Sequence, residues 1–135
     1  MYIKDKLIRF QHCDPAGIVF YPQYFVLIHE LVEDWFNEGL GQPFVELVKR
    51  RGMGVPLVKV ECEFIGPNSL GDTLSFALAV KRIGGSSIVL SVKGTTAGKD
   101  TLRATLTVVY TSLKELRAVP VPDELRAAMA RFMEP

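Results

Sequence analysis

After Pro56 the chain changes from helical to strand-like spacing and keeps that spacing nearly to its C-terminus, and this switch restricts the fold more than any other feature. Residues 57–65, 73–83, 87–96 and 101–112 are four consecutive runs of strand-forming residues. Connectors of Gly and polar residues separate them: Pro67 to Asp72, Gly84-Gly85-Ser86 and Ala97-Gly98-Lys99-Asp100. Links this short join antiparallel neighbours, so the pattern predicts a meander. Before the switch there is one long helix. From 22 to about 38 the apolar residues Phe25, Ile28, Leu31, Val32, Trp35 and Phe36 recur at three- and four-residue spacing until Gly39. A strand over 2–11, with Arg9 between Ile8 and Phe10, precedes it; a short helix over 43–51 follows it and stops at Gly52. A last helix over 123–133 comes after Pro120-Val121-Pro122. One long helix available to one sheet means an α+β domain, here a single one over residues 1–135, with the sheet packed on that helix.

The entry to the long helix is the chemically suggestive part: His12-Cys13-Asp14-Pro15-Ala16-Gly17-Ile18-Val19-Phe20-Tyr21-Pro22. Pro15 biases Asp14 toward an extended conformation, and Gly17 has access to backbone angles closed to other residues, so a sharp turn is expected here. Pro22 suits the first turn of a helix, whose unpaired N–H groups can polarise a carbonyl or hold an anion. Taken by itself, Asp-Pro is an ordinary turn opener, and an Asp ahead of a helix is more often a cap than a reactive group. A carboxylate beside such donors is also what acyl chemistry needs.

The run from Cys13 to Tyr24, Cys-Asp-Pro-Ala-Gly-Ile-Val-Phe-Tyr-Pro-x-Tyr, resembles the signature of the 4-hydroxybenzoyl-CoA thioesterase family of hot dog proteins. The order of elements fits over nearly the whole chain. The resemblance implies the hot dog fold, an antiparallel sheet wrapped around one central helix, paired into dimers with the active site at the subunit interface and commonly assembled as homotetramers. It implies hydrolysis of an acyl-CoA with a small aromatic or short acyl group, and no cofactor beyond the coenzyme A of the substrate itself. The carboxylate matched by Asp14 acts in the family as nucleophile or general base, and the position matched by Tyr21 supplies a backbone N–H to the thioester oxygen. Gly17 would allow close approach of the acyl group, and His12, two residues before Asp14, would assist or orient it. For the coenzyme, Arg82 with Gly84, Gly85, Ser86 and Ser87 offers charge and accessible backbone, although this loop is less basic than that of aryl-CoA relatives and its Gly-Gly-Ser also reads as a plain hairpin turn. His29 reads as a packing or interface residue, and Glu61 and Glu63 share one face of a strand.

Bulk properties exclude several classes. With 48% hydrophobic and 23% charged residues and a formal net charge of +1, the chain has no global attraction to nucleic acid or anionic membrane. No apolar run reaches the roughly 20 residues needed to span a bilayer. Cys13 and Cys62 lack metal-ligand spacing, so no metal site is expected, and the N-terminus carries no secretory pattern, which suggests a cytoplasmic protein with reduced thiols. The competing reading is a non-catalytic hot dog module that binds acyl-CoA or an acyl-carrier protein; Asp14 argues against it, because a negative charge facing a thioester carbonyl does not help a binder. A hydratase would place its His several residues after the Asp, which this run does not do.

Overall fold

A computed structural model describes residues 1–135. In chain order it contains β1 (Tyr2–Leu7), a 3-10 turn (Phe10–His12), α1 (Tyr21–Asp34), a π-helical turn (Trp35–Gly39), a second π-helical turn (Glu46–Arg50), β2 (Met53–Gly54), β3 (Leu57–Phe64), β4 (Thr73–Ile83), β5 (Ser87–Thr96), β6 (Lys99–Val109), β7 (Thr111–Ser112), β8 (Arg117–Ala118) and α2 (Asp123–Ala130). The main sheet is antiparallel with strand order β1-β4-β5-β6-β3, and β2, β7 and β8 form a small second sheet.

The inward faces of the central strands carry Leu74, Phe76, Leu78 and Val80 from β4, Ile88, Leu90 and Val92 from β5, and Leu102, Leu106 and Val108 from β6. They meet the buried stripe of α1 and its extension, Leu27, Ile28, Leu31, Val32, Trp35 and Phe36, in one continuous core. Alternation on the strands and three-to-four spacing on the helix aim these side chains at each other. β1 joins by a different chemistry. Its inward residues Lys4 and Lys6 pair with Glu38 at 3.0 Å, Asp34 at 2.6 Å and Glu30 at 3.5 Å, acids four apart along one side of the helix, and the Tyr2 hydroxyl donates to Glu38.

Three expectations need correction. The strand expected over 2–11 ends at Leu7, because Ile8 exchanges backbone hydrogen bonds with Asp72 and Gly71 and the chain then turns through the 3-10 segment. The meander includes β4, β5 and β6 only: β3 crosses to the far edge and pairs with β6, with Val60 opposite Leu106 and Phe64 opposite Leu102. Gly39 does not stop the helix by taking a left-handed conformation. A Cβ there would lie 2.7 Å from Trp35 Cδ1, so glycine is needed for space, and the helix widens into a π turn in which Leu40 N–H reaches Trp35 O.

Leu31 is fully buried at the centre of this contact. Leu31→Ala is expected to lower unfolding free energy by about 2–5 kcal/mol, read by urea denaturation with an unchanged m-value.

Candidate active site

Asp14 sits on a small hairpin between the 3-10 turn and α1. Cys13 bridges Val19, Asp14 N–H donates to Ile18 O, and Gly17 N–H closes the turn on Asp14 O at 2.9 Å. Gly17 has φ of +79° while the place of a Cβ is open, so backbone conformation, and not lack of space, demands glycine within this chain. The half-buried Asp14 turns one carboxylate oxygen back to accept Ala16 N–H at 2.9 Å; its Oδ2 has no protein partner.

The helix start supplies a complementary donor. Tyr21 is the first residue of α1, and its N–H reaches no acceptor within the protein. Pro22 removes the next N–H, and Gln23 N–H is taken by Phe20 O at 2.8 Å, so the Tyr21 N–H is left free at the very start of the helix. The Tyr21 side chain is exposed, which leaves its backbone as the useful part. Hairpin and helix are tied together by Phe20 N–H to His12 O at 2.9 Å.

His12 is placed as a support. It is 4% exposed, and its Nδ1 accepts the Arg9 N–H at 2.8 Å, which leaves an N–H on Nε2 and no free lone pair to take a proton. Of the roles open to it from the sequence, assisting, orienting or structural, these contacts favour the structural one, because the imidazole is spent on closing the 3-10 turn. Burial lowers its pKa from the ordinary histidine value. The unfolded chain then binds the proton more readily, so this contribution to stability is full above about pH 6.5 and is lost as pH falls from there through the lower folded-state pKa. An NMR titration is expected to place the His12 midpoint below about 6.5; a midpoint at or above that value contradicts the buried neutral imidazole.

Two cavities lie along the side of α1 that faces β3. One, of about 320 Å³, is bounded by Val19, Tyr21, Tyr24, Phe64, Ile65 and Pro67 at the helix start. The second, of about 130 Å³, is apolar, with Phe25, Ile28, Val32, Val55, Leu57 and Leu106 among its walls and His29 as the polar side chain at its edge. Phe64 joins them, its ring within 6.4 Å of Tyr21, 5.7 Å of Tyr24 and 6.3 Å of Phe25. Sequence reasoning passed over Phe64, whose only signal was an aromatic at the end of a strand. His29, edge-on to Phe44 at 6.3 Å, combines the expected packing with a place at a cavity. Glu61 and Glu63 point the other way, to a polar groove on the outer face of the sheet with Lys81, Lys93 and Arg103.

The expected coenzyme residues are not brought to Asp14 within one chain. Arg82, Gly84, Gly85, Ser86 and Ser87 lie where β4 passes into β5, while Asp14 is tied to the other end of β4, beside Asp72 and Thr73. At roughly 3.3 Å per residue the strand separates them by about 30 Å. The turn's carbonyls are also occupied: Gly84 O accepts from Arg126 at 2.8 Å, Gly85 O from Val121 N–H and Ser86 O from Tyr110 N–H.

A second loop reaches the hairpin from the sheet. Between β3 and β4, Leu70 N–H donates to Gly17 O, Ile18 bridges Ser69, and Val19 N–H donates to the backbone carbonyl of Asn68. Asn68 is completely buried; its Oδ1 accepts the Tyr24 hydroxyl at 2.9 Å, and its Nδ2 donates to Thr96 Oγ1 at 2.6 Å. In the sequence this Asn looked like one more turn residue.

A family model described as the thioesterase-like superfamily matches residues 8–129. The chain is similar to the 4-hydroxybenzoyl-CoA thioesterase of Pseudomonas sp. strain CBS-3, with 32% identity over 128 residues covering 89% of this chain and 91% of that protein. It is also similar to the 1,4-dihydroxy-2-naphthoyl-CoA hydrolase of Thermosynechococcus vestitus, with 26% identity covering 91% of this chain and 84% of the relative. The solved structure of a gentisyl-coenzyme A thioesterase superposes with a TM-score of 0.86 at 26% identity, covering 93% of this chain and 99% of that one. A sheet curled around one helix that is entered through an acid-bearing turn is thus the hot dog arrangement of a thioester hydrolase. The chain belongs to the thioesterase-like superfamily, in its 4-hydroxybenzoyl-CoA thioesterase family.

Proposed function

We propose that the protein hydrolyses an aromatic acyl-CoA to the free acid and coenzyme A, with Asp14 and the Tyr21 N–H as the reacting constellation. The observation that carries this reading is the pairing of an unengaged carboxylate oxygen with an unengaged amide at the positive end of a 14-residue helix. The thioester oxygen takes the Tyr21 N–H, and charge that develops on it is stabilised there. Asp14 Oδ2 then either attacks the carbonyl carbon, giving an anhydride that water opens, or accepts a proton from the attacking water. Both routes use the same oxygen and expel the coenzyme A thiolate, a leaving group good enough that no metal or further cofactor is needed.

The acyl group runs along α1 past Phe25 toward the apolar cavity edged by His29. Apolar cavities of about 150 Å³ take up benzene, which suits the 130 Å³ available. The substrates named for the relatives, 4-hydroxybenzoyl-CoA and 1,4-dihydroxy-2-naphthoyl-CoA, carry aryl groups.

The protein works as a homodimer through β3, with two dimers forming the tetramer that the family resemblance implies. β3 is bonded on one edge only, and Leu57, Val58, Val60 and Phe64 on it are exposed. A two-fold axis at this edge reverses the partner's strands, and so carries the partner's β4 and β5 junction to the end of the sheet where Asp14 lies. That arrangement supplies Arg82 and the Gly84 to Ser87 turn to the coenzyme in trans. Unpaired Cys13 and Cys62 accord with work in the cytoplasm.

Asp14→Asn is expected to fold normally and to lose at least about 100-fold in kcat when thiol release is followed across aryl- and alkyl-CoA substrates; wild-type turnover by this variant sinks the assignment. Light scattering of the purified protein should give a dimer or a multiple of it, and Val60→Lys should shift the population toward monomer. A monomeric wild type would reject the β3 interface.

A further inference from the structure

We propose that the buried relay of Tyr24, Asn68 and Thr96 is a positioning device that holds the Tyr21 amide and the Asp14 hairpin in register, an inference that rests on the thioesterase reading above. In a core that is otherwise apolar, Asn68 is one of only four buried polar residues, with His12, Thr101 and Ser112, and it is fully enclosed. Burying an amide is costly unless its donors and acceptors find partners, so the placement of each bond is informative.

Every bond runs in one sense. The Tyr24 hydroxyl donates to Asn68 Oδ1 at 2.9 Å, Asn68 Nδ2 donates to Thr96 Oγ1 at 2.6 Å, and Thr96 Oγ1 donates to Thr73 O at 3.2 Å. A phenol is protonated at neutral pH at its ordinary pKa and so can donate, and burial raises that of Tyr24 further. The far end of the relay is the main sheet, where β4 begins and β5 ends. The near end touches both halves of the reacting constellation. Tyr24 lies in the turn of α1 that begins with Tyr21, and the Asn68 carbonyl accepts the N–H of Val19, on the returning arm of the Asp14 hairpin. One residue thus references helix and hairpin to the same point of the sheet, the helix through its side chain and the hairpin through its backbone carbonyl.

The N-terminus of α1 has no side-chain cap of its own, since Phe20 stands at that position. Its orientation must come from elsewhere, and Asn68 is the buried polar group that supplies it. Displacing reacting groups by about 1 Å can cost on the order of 100-fold in rate, so loosening the relay should appear in turnover more than in substrate binding.

The test compares Tyr24→Phe, Thr96→Val and Thr96→Ser with the wild type, at a temperature well below the melting point of every variant. Thr96 is only half-buried and stands on β5, outside the proposed reacting constellation, so its variants remain informative even if Tyr24→Phe folds poorly. Tyr24→Phe is expected to lower kcat by about 10- to 100-fold with KM within about threefold. Thr96→Val should act in the same direction, and Thr96→Ser, which restores the hydroxyl, should return kcat to within about twofold of wild type. Amide hydrogen exchange at Val19 should accelerate at least about tenfold in Thr96→Val and not in Thr96→Ser. Unchanged kcat in Tyr24→Phe and Thr96→Val, an effect confined to KM, or equal damage from Val and Ser at 96 would overturn the proposal. The exchange measurement needs no substrate. Absence of thiol release by the wild type itself would strike the thioesterase reading alone, while unaltered Val19 exchange in Thr96→Val would strike the relay alone.

Discussion

The contact between one apolar stripe of α1 and the inner face of the sheet governs the rest of the molecule. Leu27, Leu31 and Trp35 are almost completely removed from solvent, and so are Phe76, Leu78, Leu90 and Leu102 opposite them. Apolar burial of this kind is the main driving force for folding, and here a single helix supplies nearly all of one side. The sheet must curl to keep several strands in contact with it. β1, at the edge of that curl, reaches the helix with lysines instead of aliphatic residues, and Lys6 meets Asp34 and Glu30 across a partly wet margin. The helix also has to begin at one end of the sheet, which is why the Asp14 hairpin, the loop before β4 and the ends of β5 and β6 converge there.

The carboxylate and amide proposed to react are consequences of that entry. A helix brought in after a proline-containing turn begins with orphan donors; Pro22 and the Gln23 to Phe20 bond remove two of them and leave the Tyr21 amide free at its start. The left-handed Gly17 lets the chain return on itself so that Asp14 precedes the helix closely. Half-buried carboxylate, free amide and apolar walls of Phe25 and Phe64 suit a substrate whose carbonyl is polar and whose acyl group is not. The surrounding polar residues serve geometry: His12 closes the 3-10 turn, Asp72 Oδ2 accepts Ser69 N–H, and Asn68 joins loop, helix and sheet.

Much of this was legible in the order of residues. Four strand runs and a long helix emerge at nearly their observed limits, since alternation and three-to-four spacing record which faces are buried. The Asp14 turn and the start of the helix at Tyr21 and Pro22 were equally plain, because Pro and Gly act on their own dihedral angles. Pairing was less visible. β3 looked like the first strand of a meander, yet its partner is β6, a choice made by the six-residue connector from Pro67 to Asp72, which is spent on strapping the Asp14 hairpin instead of making a tight turn. The place of the Gly84 to Ser87 turn was hidden for a related reason: nothing in a local pattern says at which end of a strand a distant turn will stand.

The sequence by itself determined the elements, their solvent-facing sides, the acidic turn before the helix and the family to which the chain belongs, all properties carried by residues near one another in the chain. The tertiary structure alone decided that β3 is a bare edge, that the Gly84 to Ser87 turn lies a strand's length from Asp14, that His12 is neutral framework, and that Asn68 touches hairpin, helix and sheet together. Backbone propensity and periodicity act over a few residues, whereas pairing, burial of a polar group and the choice of its partners depend on segments that only the packed core brings into contact.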